Sequence, residues 1–136
     1  MKSDEIVAAI VGVLETEPSI AAAYVFGSYG TDRFNSQSDI DIGILFGESH
    51  AGDTPDFPLD LRFRLEEAVK REIDLVSLDS VSPILGMQVL RHGRKIYERD
   101  RRAAEEFFVR ATESYADLKI VRREIEARVL QGSVYG

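Results

Sequence analysis

Residues 20–46 read IAAAYVFGSYGTDRFNSQSDIDIGILF, and the prediction of the fold starts from this segment. Its first part is a short apolar run that ends at Gly27, and the bounded length favours a buried strand over a helix. Its last eight residues alternate strictly, with three isoleucines and a phenylalanine on one face and Asp39 and Asp41 on the other. The stretch therefore predicts two strands, the second of which has an acidic end.

The rest of the chain continues this alternation of helices and strands. Apolar residues recur at helical spacing from Asp4 to about Thr16, and Ser3 or Asp4 is the expected N-cap. Further helices are predicted over residues 59–70 and 83–91, and further strands over 72–78 and 94–98. The order predicts an α/β fold, in which a small β-sheet is flanked by helices. The short gap after the first strand allows antiparallel or mixed pairing, and we predict a small mixed β-sheet.

The last 30 or so residues form one long predicted helix. Its apolar positions, among them Phe107, Tyr115, Leu118 and Ile125, recur every three or four residues, and this stripe exceeds what so small a domain needs for its own core. We therefore divide the chain into a core over residues 1–98 and a long C-terminal helix of the same domain over residues 99–131, which is a candidate partner-binding element.

The composition limits the kinds of site that the chain can build. It has 136 residues, no cysteine and two histidines, so thiolate metal sites, disulfides and cysteine nucleophiles are excluded and any metal must be held by oxygen. No stretch approaches the roughly 20 apolar residues of a membrane span, and the first ten residues do not resemble a signal peptide. We expect a cytoplasmic protein with no membrane partner.

The net charge of −7 is unevenly distributed. Residues 1–90 carry 16 acidic and 6 basic side chains, whereas residues 91–136 carry 8 acidic and 11 basic ones. An acidic body disfavours binding to nucleic acid, because contacts from Lys and Arg to phosphates dominate that affinity. We therefore expect no direct nucleic-acid binding, while the basic end leaves an acidic partner possible.

Three carboxylates carry the candidate chemistry. Asp39 and Asp41 lie two apart on one strand, so their side chains share a face, and Asp74 lies on the next predicted strand. Three clustered carboxylates repel one another unless a cation compensates them, and Mg²⁺ prefers oxygen ligands. Upstream, Gly27-Ser28 follows the first strand and forms a turn that can hold a triphosphate. The alternative is three independent carboxylates at strand ends in water.

The spacing of these residues is similar to a known signature. Gly27-Ser28, ten residues, and then Asp39-Ile40-Asp41 resembles the DNA polymerase β-like nucleotidyltransferases, and the surrounding sequence resembles their minimal nucleotidyltransferase (MNT) group. The length and layout resemble the MntA-type antitoxins of HEPN/MNT toxin–antitoxin pairs. This resemblance implies Mg²⁺-dependent transfer of AMP from ATP to a tyrosine of a HEPN ribonuclease toxin, which silences the toxin.

The resemblance also implies a role for each matching residue. Gly27 and Ser28 would bind the triphosphate, and Asp39 and Asp41 would ligate the metal ions. Asp74 would help to hold the second metal ion and accept the proton of the attacking hydroxyl. All five positions keep the residue types of the family.

Two other functions remain open from the sequence. The chain could neutralise its partner by occlusion through the long C-terminal helix, or it could nucleotidylate a hydroxyl of a small molecule. Neither a P-loop motif nor a dinucleotide-binding GxGxxG motif occurs. The HEPN pattern, in which four to six residues stand between an Arg and the following His, is also absent. We therefore expect the ribonuclease to be a separate chain.

Overall fold

The computed structural model describes residues 2–27, 39–47 and 57–133. Within these ranges helices and strands alternate in the predicted order. Helix α1 begins after Lys2, which is the N-cap in place of the predicted Ser3 or Asp4. The elements are α1 (Ser3–Leu14), β1 (Ala22–Phe26), β2 (Ile40–Leu45), α2 (Leu61–Val69), β3 (Ile73–Ser77), α3 (Pro83–His92), β4 (Arg94–Glu98) and α4 (Arg101–Ser133).

The strands of the described residues form one mixed sheet in the order β3-β2-β1-β4. Strand β1 pairs antiparallel with both β2 and β4, whereas β2 and β3 are parallel. The parallel pair is joined through α2, because parallel neighbours need a crossover connection. The sheet is mixed, as the sequence predicts, and β3 and β4 are its edge strands.

Helices cover both faces of the sheet. The alternation in β2 places its isoleucines on the face that packs with α1 and α2, where Ile10, Ile42 and Leu65 are fully buried. The other face of the sheet packs with α3 and α4 through Tyr24 and Phe107, whose ring centroids lie 5.7 Å apart. Each helical layer thus buries one apolar face of the sheet, which is the main source of stability for such a fold.

Helix α4 belongs to the core only in its first half. The Asp100 carboxylate accepts hydrogen bonds from the backbone N–H groups of Arg102 and Ala103 at 3.0 and 3.3 Å and so caps the helix. Phe107 is 1% exposed, but Phe108 is 55% exposed, so only one of these two rings is a core residue. Residues 116–130 are all exposed. In the described part of the chain, no helix is both long and apolar enough to cross a membrane.

Candidate active site

The sheet topology brings the predicted site residues to one edge. Strand β1 ends where the antiparallel strand β2 begins, and β3 begins beside β2 because these two run parallel. In the pairing register, Asp41 lies opposite Phe26 on one side and opposite Asp74 on the other. Gly27 directly follows Phe26. The end of β1 and the beginnings of β2 and β3 therefore form one acidic edge of the sheet.

Gly27 is required by the position of the Asp41 side chain. Its φ of +75° lies in the left-handed region, which residues with a Cβ rarely adopt. A Cβ built on Gly27 would collide with Oδ2 of Asp41 and lie only 3.1 Å from its Cγ. The absence of a side chain thus allows the Asp41 carboxylate to lie directly against the turn that follows β1.

The three carboxylates interact electrostatically. Burial raises the pKa of Asp41 above its ordinary value, and the neighbouring negative charges of Asp74 and Asp39 raise it further. Asp41 is half-buried, whereas Asp39 and Asp74 are exposed. The site therefore concentrates negative charge around one partly desolvated carboxylate, and a nearby cation would relieve this repulsion.

The donor chemistry of this edge fits a hard divalent cation. Carboxylate oxygens are the preferred protein ligands of Mg²⁺, and Asp39, Asp41 and Asp74 are the acidic residues of the edge. Within residues 2–27, 39–47 and 57–133, no three acidic or histidine side chains are grouped as closely as the ligands of a metal ion. Because Asp39 and Asp74 are exposed, their side chains have room to rotate towards a cation beside Asp41.

One predicted site residue cannot be placed. Ser28 lies outside the described residues, so its role in triphosphate binding stays a prediction. The structure brings together the other four residues, Gly27, Asp39, Asp41 and Asp74, at the edge described above.

Two acidic side chains that no sequence pattern marks hold the ends of strands β2 and β3, one far from the site and one beside it. At the far end of β2, the Asp79 carboxylate accepts hydrogen bonds from the N–H groups of Phe46 and Gly47 at 2.9 and 3.3 Å. At the start of β3, Glu66 Oε2 accepts a hydrogen bond from the Ile73 N–H at 3.1 Å. No sequence pattern marks either residue, because both contacts depend on the packing of separate elements.

The raised pKa of Asp41 predicts a pH-dependent contribution to stability. Asp41 contributes most favourably to the free energy of unfolding at pH values below its ordinary pKa of 3.8, where its carboxyl is protonated in both the folded and the unfolded protein. This contribution is lost as the pH rises through the higher pKa of the folded protein. Urea unfolding of wild type and Asp41→Asn without divalent cations, from about pH 4 to about pH 7, should show the variant gaining stability relative to wild type. A difference that stays constant with pH would contradict this electrostatic account.

The chain is similar to one protein family over most of its length. It matches the family model described as Polymerase beta, Nucleotidyltransferase over residues 8–102, a segment that includes Gly27 and all three aspartates. The protein adenylyltransferase MntA of Shewanella oneidensis is 33% identical over 110 residues, which cover 79% of this chain and 75% of MntA.

Solved structures agree with the sequence comparison. A toxin–antitoxin crystal structure with AMP-PNP contains a chain with a TM-score of 0.70 and 31% identity, and the match covers 91% of this chain and 98% of that one. A second structure holds the tri-AMPylated HEPN toxin of Shewanella oneidensis in complex with its MNT antitoxin. Its matched chain has a TM-score of 0.68 and 29% identity, with 95% of this chain and 99% of that chain covered.

Proposed function

The chain belongs to the polymerase beta family of nucleotidyltransferases, and we propose that it is an antitoxin that adenylylates its toxin. In this proposal it transfers AMP from ATP to a tyrosine hydroxyl of a cognate HEPN ribonuclease, in a reaction that depends on Mg²⁺. The observation that carries the proposal is the acidic edge, where the Asp41 carboxylate lies between the Gly27 turn and Asp74. Because the reaction consumes ATP, we place it in the cytoplasm.

The relatives support the nature of the transferred group and of the acceptor. MntA of Shewanella oneidensis is a protein adenylyltransferase, and the HEPN toxin in complex with the MNT antitoxin of that organism carries three AMP groups. AMP-PNP, an analogue of ATP, is present in the first of the two structures. These findings favour ATP as the donor and a protein as the acceptor for this chain as well.

Each of the five predicted site residues has a proposed role. Gly27 and Ser28 bind the triphosphate, because a turn without side-chain bulk lets backbone N–H groups approach phosphate oxygens. Asp39 and Asp41 would ligate Mg²⁺, and Asp74 would help to hold the second metal ion. Bound Mg²⁺ would supply charge neutralisation at the attacking and leaving oxygens.

The proposed reaction is an in-line displacement at the α-phosphorus of ATP. The tyrosine oxygen forms a new bond to the α-phosphorus, the bond from that phosphorus to the bridging oxygen of the β-phosphate breaks, and pyrophosphate leaves. Asp74 accepts the proton that the tyrosine hydroxyl loses. The chain contributes chiefly by orienting the two reactants, which can supply a large part of the rate enhancement.

We further propose that the chain divides into a core over residues 1–98 and a C-terminal helix over residues 99–131, and that the distal half of α4 binds the partner. Beyond Tyr115, whose ring lies 5.1 Å from the Arg91 guanidinium of α3, the helix leaves the core. An apolar groove runs between α3 and this part of α4, and basic side chains border it. Its apolar lining is Ile84, Leu118, Val121 and Ile125, all of them exposed. Its charged lining is Lys119, Arg122, Arg123 and Glu126, and because Glu126 pairs with Arg122 at 3.3 Å, the border keeps a net positive charge. This groove suits an amphipathic helix with acidic flanks.

Charges placed in this groove should weaken the complex. We expect Val121→Glu with Ile125→Glu to weaken binding of the ribonuclease by roughly 30-fold, because two apolar contacts worth together about 2 kcal/mol are lost. The matched control is Ala116→Glu with Ala127→Glu, which adds the same charge at exposed positions on the opposite face of α4. Isothermal titration calorimetry measures the affinity of both variants for the ribonuclease. Equal weakening by the two pairs, or none by either, would argue against this binding surface.

The same groove keeps a second candidate function open, in which the chain neutralises the ribonuclease by occlusion alone. Under occlusion, Asp39→Asn with Asp41→Asn still protects cells that express the toxin, whereas under catalysis it does not. The α4 variant above is the binding-deficient comparison. A deletion of the whole helix would not serve, because it would remove the buried Phe107 and so damage the core. Growth of cells that express the toxin with each variant separates the two functions.

A further inference from the structure

Glu66 makes two hydrogen bonds in the connection between α2 and β3. Its backbone oxygen accepts a hydrogen bond from the N–H of Lys70 at 2.8 Å, which closes the last turn of α2. Its side-chain Oε2 accepts a hydrogen bond from the N–H of Ile73 at 3.1 Å, at the first residue of β3. Lys70 itself has a φ of 57° in the left-handed region, which ends the helix. Glu66 thus holds both ends of the turn that leads into β3.

The sheet geometry shows why the Ile73 N–H needs this acceptor. The oxygen of Glu72 accepts a hydrogen bond from the N–H of Ile40 in β2, so it points towards the interior of the sheet. In a trans peptide the following N–H points the opposite way, and for Ile73 that is the outer side of the edge strand β3. Ile73 is fully buried, and a buried N–H without an acceptor is costly. The Glu66 carboxylate supplies that acceptor.

The hydrogen bond from the Ile73 N–H to Glu66 lies immediately beside the acidic edge. Asp74 is the next residue after Ile73 and lies opposite Asp41 in the register of β2 and β3. A shift of the first residue of β3 relative to β2 would therefore change the distance between these two carboxylates. An exposed side chain such as that of Asp74 depends on its backbone for its position, because little packing holds it.

We propose that Glu66 is a positioning residue that fixes the start of β3 and thereby sets Asp74 beside Asp41 for divalent-cation binding. The inference rests on the proposed function, since it assigns a role within the same site. Glu66 touches neither ATP nor the acceptor in this account. It acts only through the backbone of Ile73, as residues behind a metal ligand commonly do.

The variant Glu66→Ala tests this inference, with Mn²⁺ as the probe for the cation. We expect the amide of Ile73 to exchange with solvent much faster, and the affinity for Mn²⁺ with AMP-PNP, measured by electron paramagnetic resonance, to fall about 10-fold. The rate of AMP transfer should fall with it. Glu66→Gln keeps a side-chain oxygen that can accept from the Ile73 N–H, so it should restore Mn²⁺ affinity to near the wild-type value.

Two controls remove neighbouring charges and leave the hydrogen bond intact. Arg62→Gln deletes the ion pair to Glu66, whose N···O distance is 3.7 Å, and Glu67→Ala deletes an exposed carboxylate that pairs with Lys70. Neither should change Mn²⁺ affinity. If Glu66→Ala does not fold, Glu66→Asp serves in its place, because the shorter side chain keeps the charge but withdraws the carboxylate from the Ile73 N–H.

The outcomes separate this inference from the proposed function. Wild-type Mn²⁺ affinity in Glu66→Ala or Glu66→Asp, or equal losses in Glu66→Ala and Glu66→Gln, would overturn the positioning role even if AMP transfer occurs. Weaker Mn²⁺ binding in Glu66→Ala with rescue in Glu66→Gln would support the positioning role even if the wild-type protein transfers no AMP to the ribonuclease. In that case the proposed function alone would fail.

Discussion

Replacing Asp41 with asparagine is expected to lower the rate of AMP transfer by roughly 1000-fold, at the upper end of losses for single groups that stabilise transition-state charge. Asp41 lies against the Gly27 turn and opposite Asp74, and Asp39 is close enough to raise its pKa, so Asp41 adjoins both the proposed triphosphate site and the proposed cation site. Asparagine has the same shape but lacks the negative charge that a divalent cation requires. Single-turnover transfer from radiolabelled ATP measures the effect.

The structure provides a way to separate this loss from misfolding. The charge of Asp41 is unfavourable in the folded protein without a cation, because burial and the neighbouring carboxylates raise its pKa. Asp41→Asn should therefore be at least as stable as wild type near neutral pH. The control Asp4→Asn removes an exposed carboxylate in the first turn of α1 and should keep full activity. If Asp41→Asn transfers AMP at a rate within about 10-fold of wild type, Asp41 is not a ligand of the proposed cation site.

Replacing Gly27 with alanine is expected to lower the transfer rate by at least about 100-fold. The added Cβ collides with Asp41 Oδ2, so either the carboxylate or the turn after β1 must move. The positive φ of Gly27 adds a conformational cost of about 1–2 kcal/mol for a residue with a Cβ. The variant should therefore lose both stability and activity, measured by urea unfolding and by the same transfer assay.

Gly47 provides a matched control for this prediction. It also has a positive φ, of 81°, but it follows the other end of β2, where an added Cβ would lie 3.2 Å from the Cβ of Ala103. Gly47→Ala should lose a similar amount of stability, about 1–2 kcal/mol, and keep its transfer rate under conditions where it is folded. If the two variants lost activity equally, the contact between Gly27 and Asp41 would not explain the effect.

Much of the fold is predictable from local patterns in the sequence. The strict alternation in residues 39–46 predicts β2, and Gly27 marks the end of the apolar run that becomes β1. The predicted helix over residues 83–91 is confirmed as α3, which has Pro83 in its first turn and Gly93 as its C-cap. The minimal nucleotidyltransferase fold, a mixed sheet with a long C-terminal helix, is also confirmed by the solved structures of the family.

The details that make the site depend on contacts between distant parts of the chain. The parallel pairing of β2 with β3 sets Asp41 opposite Asp74, but no local pattern fixes that register. The contact of Gly27 with Asp41 and the hydrogen bond from Ile73 to Glu66 likewise appear only when separate elements pack together. The predicted N-cap of α1, Ser3 or Asp4, is wrong. Both residue types cap helices well, but the helix begins directly after Lys2, which is the N-cap.

The most direct test of the account is the intact mass of the cognate HEPN ribonuclease after incubation with this protein and ATP, with and without Mg²⁺. We expect a gain of whole AMP units that requires Mg²⁺, maps to tyrosine and disappears with Asp41→Asn. An unchanged mass in a sample where the two proteins still bind each other would contradict adenylylation and leave occlusion through α4 as the function.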